Sequence, residues 1–223
     1  MTDRKSKSWN EFYGEPPGDE PVFWFTAVPT EPRPQLSMHQ ALDYLFAAMG
    51  DGPIDRLADA FAVVDGDDGP AYRKVLEAAL DGPPPSAAFR AALHMNWTVR
   101  GFRHRAQIAD DALLIRAFRH VFPTYAGEAM TVYRGERSSE LDAGRLGLNW
   151  TPDRGVAERF ARGLCATYGG DGVLLQATAA PSAIISGPND HSANWICEHE
   201  HIVDPSMLSD LAEIARFPPI SVG

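Results

Sequence analysis

The stretch AMTVYRG, residues 129–135, decides how this chain is read. Met130 and Val132 alternate with Thr131 and Tyr133, and Gly135 closes the run, which predicts a β-strand. Working upstream, the pattern is helical. MHQALDYLFAAM (38–49) sets Leu42, Leu45, Phe46 and Met49 at helical spacing, behind Ser37 as N-cap and ahead of Gly50 as stop. Further helices are predicted over 53–64, 70–80, 86–95, 98–107 and 110–121, with GPPP (82–85) as a break and Pro123 as the last stop. Downstream, LGLNWT (146–151), GVLLQATA (172–179), SAIIS (182–186) and WICEHEHIV (195–203) read as strands. A helix is predicted over 152–164 and a final one over 206–216. Helices first and strands later give an α+β class.

The chain has 223 residues, 44% of them hydrophobic and 22% charged, enough apolar material for a real core. The length suits one domain, or a catalytic domain with a smaller companion. The organisation expected is an extended arm over 1–36, a helical region over 37–85 and a catalytic domain over 86–223. The arm carries an aromatic island, VFWF (22–25), able to dock through Phe23, Trp24 and Phe25 or to form an ordinary strand. The run DGDDG (65–69) reads as a turn; it lacks the ligand spacing and closing Glu of a calcium loop. With 19 glycines and 18 prolines, many turns are expected.

A net charge of −10 and an isoelectric point near 5.1 argue against a dedicated nucleic-acid binder, because such a surface repels phosphate. Cys165 and Cys197 cannot make a disulfide framework. No apolar run approaches the length of a membrane span, and the N-terminus has no signal-peptide core. The expectation is a protein of the reducing cytoplasm without a membrane partner; delivery by another secretion route is compatible with it.

Three segments carry candidate chemistry. On a strand, Cys197-Glu198-His199-Glu200-His201 would put Glu198 and Glu200 on one face and Cys197, His199 and His201 on the other. Two carboxylates at that spacing repel unless a cation or ligand compensates. Such a pair suits a glycosidic centre, one stabilising an oxocarbenium-like carbon and the other taking a proton; a solvated strand face is the plainer reading. The opposite face, with His191, offers zinc ligands, but one straight strand splays them apart. In the second segment, Arg134 ends a strand before Gly135 and Glu136. Its guanidinium can bind phosphate or carboxylate, or simply pair with Glu136. In the third, Asn149 and Thr151 share a face beside a core-facing Trp150. Thr151 also reads as the N-cap of the helix at 152–164.

In order, VYRGE (132–136), NWT (149–151) with AERFA (157–161), and EHE (198–200) with Trp195 before it resemble the arginine-glutamate class of ADP-ribosyltransferases. The resemblance covers about residues 127–205. It implies a split β-sheet core that clasps NAD as substrate, with no metal. Arg134 would contact the NAD phosphates beside Gly135. Asn149, Trp150, Thr151 and Phe160 would line the NAD site, with Asn149 and Thr151 supporting the catalytic Glu200. Glu198 would deprotonate the acceptor, and Trp195 would recognise it. Asn149 stands where the family's middle motif usually begins with Ser. Glu-x-Glu in this family usually accompanies arginine acceptors, so transfer of ADP-ribose to a protein arginine is expected. The rivals are hydrolysis of NAD by water, a nucleotide-binding or interaction module without activity, and a metal hydrolase using the Cys/His face. Arg100, Arg103, Arg105, Arg116 and Arg119 are further candidate phosphate contacts or a solvated helical face. Protonated His201 would be placed to lower the pKa of a neighbouring carboxylate.

Overall fold

A computed structural model describes residues 34–67, 70–166 and 170–219. The aromatic island at 22–25 and most of the arm lie outside them. The first half is helical: α1 (Met38–Met49), α2 (Leu57–Asp65), α3 (Ala71–Asp81), α4 (Ala87–Ile108) and α5 (Asp111–Val121). The Ser37 hydroxyl accepts from the Gln40 amide (3.3 Å) while the Gln40 side chain accepts from the Ser37 amide (2.9 Å). This reciprocal cap starts α1 where the sequence predicts.

The second half carries β1 (Met130–Arg137), α6 (Ser138–Asp142), β2 (Asn149–Trp150), α7 (Arg154–Phe160), β3 (Gly172–Ala179), β4 (Ile184–Ser186), β5 (His201–Val203) and β6 (Ser209–Phe217). The strands form two antiparallel three-stranded sheets, ordered β1-β3-β6 and β2-β5-β4. The sheets touch where the Tyr133 amide donates to the Thr151 carbonyl (2.7 Å) and the Thr151 amide donates back (3.0 Å).

Burial follows these layers. Leu45, Leu76, Phe89, Leu93, Trp97 and Phe118 form a helical core, and Leu148, Ile185 and Ile202 join it from the β2-β5-β4 side. That core runs across residues 82–85, uniting α1–α3 with α4 and α5. Val132, Trp150, Val173, Leu175, Ile184 and Val203 fill the space between the sheets. Ala157, Ala161, Leu174 and Phe217 cover the far side of β3. Burial on both faces explains the consecutive apolar residues Val173, Leu174 and Leu175 of β3.

Several predicted elements differ. The helices over 86–95 and 98–107 are one, α4, because Asn96 does not break it; its amide group donates to both Asp65 carboxylate oxygens (2.8 and 3.0 Å). The helix predicted over 206–216 is β6. Its Leu, Ala, Glu and Arg are good helix formers, but Asp204 caps only a short 3₁₀ turn (Pro205–Met207) and the chain then pairs with β3. WICEHEHIV is not one strand. His191–Trp195 is a π-turn, and only His201–Val203 is extended. Between them Cys197 (φ 51°) and His199 (φ 48°) take the left-handed conformation. Finally, Asp153 rather than Thr151 caps α7, its carboxylate accepting from the Gly155 (2.7 Å) and Val156 (3.1 Å) amides.

Candidate functional site

The left-handed residues re-aim the Glu-x-Glu segment. The Ser192 carbonyl accepts from the amides of Glu198 (2.9 Å) and His199 (3.1 Å), and the Ser192 hydroxyl accepts from the Glu200 amide (2.8 Å). One fully buried serine thus folds the segment into a compact turn. Glu198 and Glu200 come near each other through that turn, not through the face of a strand.

Glu200 is held at its carboxylate by Asn149, whose side-chain amide donates to Oε2 (3.1 Å). Asn149 lies on β2, paired with Ile202 of β5, so sheet register brings residues 149 and 200 together. Arg134, on β1, donates from Nη1 to the Asn149 carbonyl (2.6 Å) and from Nε to Glu136 Oε2 (2.7 Å). Glu136 is buried and also accepts from the amides of Gly147 (3.0 Å) and Arg137 (3.0 Å). The Arg134–Glu136 pairing read as the plain alternative is therefore present. It also fixes the guanidinium against the backbone of Asn149.

Two glycines make this geometry possible. A β-carbon at Gly147 would collide with the Arg134 guanidinium, and one at Gly135 would collide with the Ala157 carbonyl and the Ala161 amide (2.5 Å from the former). Phe160 is half-buried, and its β-carbon lies 2.8 Å from the same Gly135 position. Trp150 is buried and donates from Nε1 to the Gly147 carbonyl (2.9 Å). Thr151 is buried, and its hydroxyl accepts from the Asp153 amide (3.0 Å). Glu200 accepts its side-chain hydrogen bond from Asn149, while the Thr151 hydroxyl is engaged by the Asp153 amide. Trp195 ends the π-turn that leads into Cys197, with its ring 6.1 Å from that of His191.

The electrostatics separate these carboxyls. Burial pushes Glu200 above its ordinary range, opposed by the Asn149 hydrogen bond and the charge of Arg134. Burial and the neighbouring Glu200 push Glu198 up to about 7, with Arg159 opposing. Burial also works to raise Glu136, but Arg134 and the two backbone amides outweigh it and hold the carboxyl low. His201 differs from expectation. Burial lowers its pKa, and its Nδ1 lies 2.9 Å from the His199 carbonyl while its ring faces Tyr125. Burial thus disfavours the protonated form that the sequence suggested.

The metal reading needed Cys197, His199 and His201 on one strand face. Cys197 is instead exposed and His201 buried. Among the described residues no group of three or more His, Cys, Asp or Glu is arranged to hold a metal ion. Burial pushes the Cys165 thiol up to about 11, which favours the less reactive protonated form. Of the basic helical residues, Arg105 pairs with Asp111 (2.7 Å) and Arg119 with Asp204 (3.2 Å), so both tie elements together. No helix among the described residues is long and apolar enough to cross a membrane.

The sequence reading missed Trp97, Thr98, Asn189 and Ser192. Trp97 Nε1 donates to Asn149 Oδ1 (2.7 Å), and Asn189 donates to the Thr98 hydroxyl (2.9 Å). The Asn189-x-x-Ser192 spacing was the available signal, since the Asn189 side-chain Oδ1 accepts from the Ser192 amide three residues on (2.8 Å), a local side-chain-to-backbone bond that asparagine favours. No protein-family model, curated protein or solved structure matches this chain.

Proposed function

We propose that this chain is an NAD-dependent mono-ADP-ribosyltransferase with an arginine side chain as acceptor. The observation that carries the reading is the convergence of three distant segments on Asn149. Arg134 bonds its carbonyl and Glu200 accepts from its side chain. Two antiparallel sheets bridged at Tyr133 and Thr151 support reading the second half as a split-sheet core.

The chemistry follows from the charges. Bound NAD would direct its pyrophosphate to Arg134, whose N–H groups other than those bonded to Glu136 and Asn149 can donate. The bond between the ribose carbon and nicotinamide breaks with its electron pair leaving on the neutral base. The ribose develops positive charge, and the Glu200 carboxylate stabilises it. The acceptor nitrogen forms the new bond to that carbon, and its proton passes to Glu198. A carboxyl raised to about 7 is well matched to a base working near neutral pH.

The test is incubation with NAD and agmatine, read by mass spectrometry for the ADP-ribosyl adduct. Wild type should form it, and Glu198→Gln should lose it while retaining slow nicotinamide release. Nicotinamide release without adduct in wild type would assign water as the acceptor. NAD binding without release would leave a nucleotide-binding module.

A further inference from the structure

We infer that Trp97 and Thr98, neighbours on helix α4, are positioning residues for Glu200, so that the helical half sets the geometry of the proposed reaction. The inference rests on the proposed role of Glu200 and adds the helix that orients it. Two hydrogen-bond chains start at adjacent positions of α4 and end at the two ends of one residue. The first runs from Trp97 Nε1 to Asn149 Oδ1 (2.7 Å) and from Asn149 Nδ2 to Glu200 Oε2 (3.1 Å). The second joins the Thr98 hydroxyl to Asn189 Nδ2 (2.9 Å), Asn189 Oδ1 to the Ser192 amide (2.8 Å), and the Ser192 hydroxyl to the Glu200 amide (2.8 Å).

Donor chemistry makes the first chain directional. Indole N–H only donates, so it must meet the oxygen of the Asn149 amide. That forces the NH₂ group toward Glu200, where only an acceptor can satisfy it. Glu200 Oε2 is that acceptor, and a flipped Asn149 would turn oxygen against oxygen. Trp97 can dictate this because packing confines its ring. It is buried, its ring packs edge-on to Phe118 at 4.7 Å between centroids, and the backbone at Gly101 approaches closely. A β-carbon at Gly101 would lie 3.0 Å from Cε2 and 3.1 Å from Cδ2 of the indole.

The second chain holds the backbone. Thr98 bonds the His94 carbonyl (3.1 Å), which fixes its hydroxyl as donor to the helix and leaves a lone pair for Asn189. Buried Ser192 then anchors three successive amides, those of Glu198, His199 and Glu200. A shift of α4 would therefore move carboxylate and backbone together.

The experiment titrates the Glu200 carboxyl by NMR of the full chain with side-chain-labelled glutamate, assigned with Glu200→Gln. Trp97→Phe keeps an aromatic ring and removes the donor. It should raise the Glu200 midpoint by about one pH unit, because Asn149, no longer fixed by the indole, can turn its NH₂ group away from the carboxylate. Thr98→Val should displace the Glu200 backbone amide resonance, and Thr98→Ser should restore it. In the nicotinamide assay, Trp97→Phe should lower kcat by about 10-fold or more while KM for NAD stays within about two-fold. If Trp97→Phe does not fold, Gly101→Ala presses the indole aside in a helix that favours alanine, with the same expected rise. An unchanged Glu200 midpoint in a folded variant of either kind overturns the inference. A shifted midpoint in a protein that never cleaves NAD keeps the positioning and overturns the proposed reaction instead.

Discussion

The guanidinium of Arg134 lies directly against Gly147, where a β-carbon would overlap it. The same guanidinium is clamped by Glu136, which also accepts from the Gly147 amide. Glycine is thus required here for close approach, not for an unusual backbone angle. Gly147→Ala should displace Arg134 from the Asn149 carbonyl and weaken NAD binding by about 10-fold or more. Titration calorimetry with NAD checks this, and a variant binding like wild type would separate Arg134 from the site.

Removing the clamp should cost stability. Glu136→Gln leaves Arg134 half-buried without its anion, a loss of about 3 kcal/mol. Because Glu136 titrates below its unfolded value, its contribution is present above about pH 4.5 and lost as pH falls through the folded value. Denaturant unfolding at pH 7 and pH 3.5 should show the variant's deficit shrinking at the lower pH.

His94 acts in a different window. Burial, with the nearby His201, pushes its imidazole down to about 4, against about 6.5 in an unfolded chain. The unfolded state therefore binds the proton first, so stability is full above about pH 6.5 and falls as pH drops toward 4, by up to about 3 kcal/mol. Glu198 and Glu200 oppose this trend, since their raised values favour the folded state at low pH. The measurable quantity is the difference between wild type and His94→Gln. Wild type should lose more stability than the variant between pH 7.5 and 5.

The pH dependence of transfer should report Glu198. A base raised to about 7 is protonated below that pH and ionised above it. Adduct formation on agmatine should rise through about pH 7, and Glu198→Gln should abolish that limb. Arg159 opposes the rise in pKa, so Arg159→Gln should move the limb to higher pH. A pH-independent rate of adduct formation in wild type would remove Glu198 as the base.

Much of this architecture is visible in local pattern, and the exceptions have physical causes. Ser37 announces the start of α1, and the segment 172–179 announces a strand. Order along the chain singles out Arg134, Asn149 and Glu200, which lie far apart in sequence. The turn at 197–200 was illegible because its left-handed residues are Cys197 and His199, not the glycine or asparagine that mark such turns. β6 was misread because its helix-forming composition is overridden by pairing with β3. Trp97 is separated from Asn149 by 52 residues, a contact no local period reveals. His201 was misread because alternation supplies a face but not what covers it.

The central claim is that Glu200 stabilises a ribosyl cation formed from NAD. Its most direct test is nicotinamide release from NAD by wild type and Glu200→Gln, with and without agmatine. The account predicts release that agmatine stimulates and that Glu200→Gln reduces by about 10²-fold or more. Equal release from both proteins, or none from wild type despite measured NAD binding, would contradict it.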